Sequence, residues 1–274
     1  MSVVNDESIS HHHKGLLTIP HYLFTIHYFW CMSKVIAMIP ARYAATRFPA
    51  KLMKILGDKP VIAHTYDAAM QSGLFTDVYV ITDSNVIYEE ITGRGGKCMM
   101  SLTEHESGTD RIAEAARSLD VDVIVNVQGD EPFIQKEPLE KLVRLFDNEQ
   151  VQVASLMRKI ENAADAANPN MVKVVTNKNN KALYFSRSII PFQRDADVTV
   201  DYFLHIGVYA FRKNALLNFT GLPQAPLEQI EKLEQLRFLY NDIDIYMAET
   251  GYKNIAIDTP EDLEKAKEQI NSNP

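Results

Sequence analysis

The feature that most constrains this chain is an alternation that begins at Lys34: an apolar run, a polar or glycine-bearing loop, a helical stretch, then another apolar run. Residues 34–39 read as a buried strand, 60–72 as a helix stopped by Gly73, and 78–81 as the next strand. Ser84 stands where it can cap a helix running to about residue 92; 97–101 reads as a strand, Thr109 as the cap of a helix to Leu119, and 121–127 as a β-branched strand. Strands alternating with helices predict an α/β fold with three layers, a mostly parallel sheet covered by helices on both faces. In the second half, strand-like stretches at 151–156, 172–175, 182–185 and 203–211 follow one another without long helices, which predicts a smaller mixed or antiparallel lobe around 151–240. Residues 226–240 then read as one helix, 243–247 and 255–257 as strands, and 260–270 as a last helix. That helix has Thr259 as its N-cap, Pro260 in the first helical position, and Glu261 and Asp262 in the first turn. In such sheets ligands bind beyond the carboxyl ends of the strands, so those loops are where chemistry is sought.

Composition narrows the partners. A formal net charge of −8 over 274 residues argues against nucleic acid, whose phosphate backbone calls for clustered Lys and Arg. Two cysteines, Cys31 and Cys98, offer neither a disulfide framework nor a metal site and fit a reducing, cytoplasmic compartment. Residues 1–32 do not match the rest. The stretch 1–14 is polar and holds His11, His12 and His13, three neighbours with no further ligand at metal-binding spacing. The stretch 16–32 is apolar and aromatic but is interrupted by Pro20, His21 and His27, and it is shorter than the roughly 20 residues of a membrane span. Residues 1–32 are therefore expected to be a disordered or non-native upstream extension, and 33–274 a single domain.

The loop after the first strand carries Arg42, Arg47 and Lys51. Guanidinium forks bind phosphate oxygens bidentately and Lys adds a point charge, so this spacing suits an oligophosphate as well as a solvated surface. It lacks GxGxxG and the Walker Gly-Lys-Thr pattern, which demotes the common dinucleotide and P-loop folds. Taken singly, several further residues keep two readings. Asp130 suits a turn as well as a cleft carboxylate, Asp258 a place beside a helix N-terminus, Gln128 a satisfied loop amide, and the segment Ser107, Gly108, Thr109 a turn into a capped helix. His205 suits a satisfied core histidine. His64 reads as a structural helix residue, and Arg237 as part of a helix face or a subunit contact.

Taken in order, these motifs resemble one family. The loop Pro40-Ala41-Arg42-Tyr43-Ala44-Ala45-Thr46-Arg47-Phe48-Pro49-Ala50-Lys51 is similar to the PARxxSTRxPxK signature of sugar cytidylyltransferases. It is followed by His105-Glu106-Ser107-Gly108-Thr109-Asp110-Arg111, Asn126-Val127-Gln128-Gly129-Asp130-Glu131-Pro132, Ala182-Leu183-Tyr184-Phe185-Ser186-Arg187, His205-Ile206-Gly207-Val208-Tyr209, Leu233-Glu234-Gln235-Leu236-Arg237 and Asp258-Thr259-Pro260-Glu261-Asp262-Leu263. The ordered set, from about residue 34 to 270, resembles the 3-deoxy-manno-octulosonate (Kdo) cytidylyltransferase family. The resemblance implies a nucleotidyltransferase fold, CTP and Kdo as substrates, Mg²⁺ held by Asp130 and Asp258, a homodimer, and a place in lipopolysaccharide biosynthesis. It further implies that Arg42, Arg47 and Lys51 hold the triphosphate and that Ser107, Gly108 and Thr109 line the base pocket. Gln128, Arg187, His205, Tyr209 and Glu234 would contact the sugar. Alternatives left open are a related acidic sugar, such as 8-amino-Kdo or a sialic acid, and a non-catalytic sugar-nucleotide-binding paralogue. Three positions depart from the pattern: Ala45 replaces a Ser, Ala50 stands where Gly is common, and Leu204 where a basic residue is frequent.

Overall fold

The computed structural model describes residues 33–44, 48–253 and 255–272. The chain falls into two units, Met1–Met32 and Ser33–Pro274. The first, and with it the expected extension, lies outside the described residues.

In chain order the second unit runs β1 Val35–Ala41, β2 Ile55–Leu56, β3 Lys59–Pro60, α1 Val61–Gln71, β4 Asp77–Thr82, α2 Asn85–Gly93, β5 Lys97–Met100, α3 Gly108–Ala116, β6 Val123–Asn126 and α4 Lys136–Arg144. It continues with β7 Val153–Lys159, β8 Lys173–Thr176, β9 Ala182–Ser186, β10 Phe203–Arg212, α5 Lys213–Phe219, α6 Pro226–Glu231, α7 Leu236–Tyr240, β11 Ile245–Glu249 and α8 Pro260–Ser272. The main sheet has the order β11-β7-β10-β6-β1-β4-β5, and every neighbouring pair is parallel except those made by β10. The mostly parallel three-layer fold read from sequence is the one observed.

Strand β1 shows why its sequence is apolar throughout. Ala37, Ile39 and Ala41 join one core with Ile62 of α1, Ile87 of α2, Leu139 of α4 and Leu263 of α8. Ile36 and Met38 face the other way, into a second core with Ile112 of α3, Leu216 of α5 and Phe238 of α7. Successive side chains of a strand point to opposite faces, so a strand buried on both sides cannot alternate with polar residues.

The same arrangement places the site. From β1 the chain moves by α1 to β4 and by α2 to β5 on one side, then returns by α3 to β6 on the other side of β1. This reversal of strand order, between β1 and β6, opens a crevice at their carboxyl ends. The loops after β1 and β6 are those with the cationic run and Gln128-Gly129-Asp130.

Several local expectations are corrected. The cap of α3 is Ser107, whose Oγ accepts the Asp110 amide at 3.1 Å, rather than Thr109, which lies inside the first turn. The single helix expected over 226–240 is two, because Lys232 takes a left-handed conformation (φ 54°) that ends α6. Residues 255–257 form no strand. The antiparallel part of the second half includes β8 and β9, which extend β10 as a ribbon, while β7 and β10 belong to the main sheet. Helices α4 and α5 add to the alternation read from sequence. The start of α8 is as expected, with Thr259 Oγ1 accepting from the Asp262 amide at 3.2 Å and Asp262 Oδ2 accepting from the Thr259 amide at 3.0 Å.

Arg237 is a clamp across the α6–α7 break. Its guanidinium donates to both oxygens of Glu228, at 2.8 and 2.5 Å, and lies 4.5 Å from the Phe219 ring centroid. Both partners are buried. Glu228→Ala would leave a buried guanidinium without its counter-charge, and a loss of about 3–5 kcal/mol is expected in urea denaturation. An unchanged midpoint would contradict the clamp.

Candidate active site

The crevice is built on backbone contacts that fix its loops. After β6, Gly129 packs so closely that a Cβ there would stand 3.2 Å from the Pro40 carbonyl oxygen and 3.3 Å from Leu52. A side chain here would push these neighbours apart, so glycine suits the approach. Its carbonyl accepts the buried Thr65 hydroxyl at 2.9 Å, so α1 holds the loop from below. The segment before α8 is tied to the same loop, Ile257 N donating to the Asp130 carbonyl at 2.9 Å. Across the crevice, Gly108 meets the Pro40 ring, where a Cβ would come within 3.1 Å.

These ties bring three charged side chains together. Lys51 Nζ donates to Asp258 Oδ1 at 2.8 Å and also to Asp130 Oδ2. The two aspartates, far apart in sequence, thus share one positive charge. Burial disfavours the Lys51 ammonium, but the Asp130 and Asp258 carboxylates outweigh it and raise the lysine pKa. Ala50, next to Lys51, sits in the left-handed region (φ 54°, ψ 29°), a conformation that costs a non-glycine residue roughly 1–2 kcal/mol. That turn opens the short 3₁₀ segment Lys51–Met53 and turns Lys51 toward the carboxylates. Among the described residues no group of three His, Cys, Asp or Glu side chains gathers at metal-binding spacing.

Arg42, Ser107, Gly108 and Gln128 line the same crevice as Lys51, Asp130 and Asp258. Arg47 lies outside the described residues. Thr109 stands behind the lining, buried, and its hydroxyl donates to Glu234 Oε2 at 2.7 Å. The break after Lys232 is what frees Glu234 to reach α3. Desolvation raises the Glu234 pKa and Asp110 adds to it, against hydrogen bonds from Thr109 and Ser107 that favour the ionised form. Its Oε1 is buried without a hydrogen-bond partner. Tyr209 lies beside His205, ring centroids 5.3 Å apart, and burial followed by the nearby Glu234 raises its pKa well above the ordinary value. Gln128 Nε2 donates to the Gly207 carbonyl at 3.4 Å, linking the β6 loop to β10.

The Arg187 guanidinium donates to the carbonyls of Glu231 (2.7 Å), Pro169 (3.1 Å) and Lys232 (3.4 Å), which ties β9 to the end of α6; like His205, Tyr209 and Glu234, it is not among the residues that line the crevice. Leu204 packs against Ile160 and Tyr202. Sequence reasoning passed over Arg111. It is 5% exposed, lines the crevice, and donates through NH2 to Asp83 at 2.6 Å, while NH1 has no hydrogen-bond partner. Its position directly after Ser107-Gly108-Thr109-Asp110 was the available signal.

Cations and carboxylates at the switch point of a parallel sheet, with a glycine-lined slot opposite, make a nucleotide-transferring site, and the comparisons narrow it to the cytidylyltransferases. The profile of that family, described as Cytidylyltransferase, matches residues 36–245. A 3-deoxy-manno-octulosonate cytidylyltransferase of Flavobacterium johnsoniae is 57% identical over 240 residues, covering 86% of this chain and 98% of its own length. One from Christiangramia forsetii is 52% identical over 241 residues, covering 87% and 97%. A solved structure of CMP:2-keto-3-deoxy-manno-octonic acid synthetase complexed with CTP is 39% identical, with a TM-score of 0.85, and covers 88% of this chain and 100% of its own. The chain belongs to the 3-deoxy-manno-octulosonate cytidylyltransferase family.

The raised Glu234 pKa has a consequence for stability. The folded carboxyl keeps its proton to higher pH than the unfolded one, so the native state is stabilised below the unfolded value, and this is lost as pH rises through the folded value. Glu234→Gln should flatten that decline in melting temperature from about pH 4.5 upward, 4.5 being the unshifted value. An unchanged slope would show that Glu234 is ionised without penalty.

Proposed function

We propose that this enzyme transfers CMP from CTP to the anomeric hydroxyl of Kdo, releasing pyrophosphate and forming CMP-Kdo for lipopolysaccharide synthesis. The observation that carries the reading is the meeting of Asp130 and Asp258 around Lys51, in a crevice walled by Arg42 and by Ser107 and Gly108. The sugar hydroxyl attacks the α-phosphorus and gives up its proton to water, a P–O bond forms there, and the bond to the bridging oxygen of the leaving pyrophosphate breaks. No covalent enzyme intermediate is needed, since phosphoryl-type transfer depends on positioning and charge neutralisation.

The donor set fits Mg²⁺. Two hard carboxylate oxygens already converge on one positive group, and Mg²⁺ takes one or two carboxylates and completes its shell with substrate phosphates and water. When bound on Asp130 and Asp258 it would offset the repulsion between triphosphate and sugar carboxylate and polarise the α-phosphate. Lys51 and Arg42 hold the triphosphate, joined by Arg47 from the same loop, and the incoming phosphates draw the Lys51 ammonium off the carboxylates. Ser107 and Gly108 form the base slot, backed by the buried Thr109, and the absent Cβ of Gly108 leaves room against Pro40. Gln128, His205, Tyr209 and Glu234 bound the sugar pocket. Arg187, whose guanidinium ties the end of β9 to the end of α6, would support the pocket from outside the crevice.

We place the enzyme in the cytoplasm on its cysteine usage; among the described residues no helix is long and apolar enough to cross a membrane. We further propose a homodimer joined through the ribbon, the segment that follows β9 and α6, where Leu183, Phe192 and Ile230 are 60%, 84% and 77% exposed.

Purified enzyme given CTP, Mg²⁺ and a panel of acidic sugars should release pyrophosphate fastest with Kdo, and a chelator should stop it. Asp130→Ala and Asp258→Ala should each lower kcat at least 100-fold, a loss of about 2.7 kcal/mol in transition-state stabilisation, with melting little changed. Near-normal turnover in either variant, or preference for a sialic acid, would overturn the assignment.

A further inference from the structure

Ser155 is a fully buried serine in the middle of β7, and nothing in the chemistry above uses it. Opposite it the β10 ladder slips: Leu156 pairs with Ile206 but Ser155 pairs with Tyr209, so Gly207 and Val208 bulge out of register. Such irregularities re-aim side chains and are frequent beside active sites. Here the slip turns two carbonyls toward the serine hydroxyl, Val208 O at 2.9 Å and Ile206 O at 3.2 Å. The same hydroxyl oxygen stands 2.9 Å from His205 Nε2.

One hydroxyl has one proton, and that decides the histidine tautomer. Carbonyl oxygens only accept, so the Ser155 proton lies toward the nearer of them, Val208 O; otherwise oxygen lone pairs would face each other across 2.9 Å in a buried site. The Ser155 oxygen is then an acceptor for His205, and Nε2 carries the ring hydrogen. Nδ1 is left as the acceptor, with the Gln235 amide nitrogen 3.5 Å away, at the limit of a hydrogen bond. Phe185, edge-on at 4.9 Å, and Tyr209 hold the ring in this orientation. Desolvation pushes the ring pKa down to about 3, so it is neutral at working pH, although the residue as a whole is not fully buried.

We propose that Ser155 is a positioning residue that locks His205 as the Nε2–H tautomer, so that Nδ1 accepts a hydrogen bond from a hydroxyl of the sugar, in place of the Gln235 amide. The proposal rests on the sugar-pocket reading of His205. It makes the pocket selective for a substrate that donates at this point, and it gives the bulge in β10 a purpose.

The test is long-range ¹⁵N–¹H correlation on the ¹⁵N-histidine-labelled full chain, with His205→Gln used to assign the signal. The free wild-type enzyme should show a single neutral Nε2–H form of His205 from pH 6 to 8, and Kdo alone should move the Nδ1 resonance. Ser155→Ala should mix the tautomers, raise the KM for Kdo roughly tenfold, as loss of one well-placed hydrogen bond does, and leave the KM for CTP unchanged. An Nδ1–H form or an imidazolium in the wild type would overturn the proposal, even where Ser155→Ala does not fold. So would an unmoved Nδ1 signal with an enzyme that turns Kdo over, or a Ser155→Ala variant with wild-type tautomer and KM. If no acidic sugar is turned over, the functional reading fails, while the tautomer of the free enzyme still tests the role of Ser155.

Discussion

Two aspartates separated by more than a hundred residues meet on one lysine, and much of the structure exists to make that meeting possible. A carboxylate pair in a half-buried crevice repels itself unless a cation stands between the partners. Lys51 is that cation here, fixed by a left-handed turn at Ala50, while the Ile257–Asp130 backbone bond joins the two acidic loops. Strand β1 beneath is apolar throughout because both its faces are covered, and this rigid base lets the loops above be charged. Ala50 occupies a strained conformation that glycine would adopt freely, a local cost offset by what it positions.

An acidic protein that handles a triphosphate must concentrate its few positive groups. The −8 chain does so by placing Arg42, Lys51 and Arg111 around one crevice and using other cations structurally. Arg237 neutralises Glu228 inside the fold, and Arg187 spends its donors on carbonyls. On the proposed sugar side, burial disfavours charge on both the Glu234 carboxyl and the His205 ring.

Much of this was legible in the sequence. The core strands announced themselves by unbroken apolar runs, the last helix by Thr259, Pro260 and two acidic residues, and the site by motifs falling where such strands end. What escaped depended on geometry between distant segments. Nothing around Lys232 marks it as a left-handed residue, so the break that releases Glu234 was read as continuous helix. The Ser107 and Thr109 caps look alike until the Asp110 amide is seen to choose the first. Arg187 matched a motif, yet the carbonyls that occupy it come from residues far along the chain. Ser155 is one small polar residue in an apolar strand, and only the slipped register opposite gives it meaning.

Asp130 and Asp258 are proposed to form one divalent-cation site once the triphosphate has arrived. Crystals grown with CTP and MnCl₂ would locate that ion through the anomalous scattering of manganese. A peak is expected between the two carboxylates, with Lys51 moved onto the phosphates. A manganese ion bound elsewhere, with Lys51 still bridging both aspartates beside bound CTP, would contradict it.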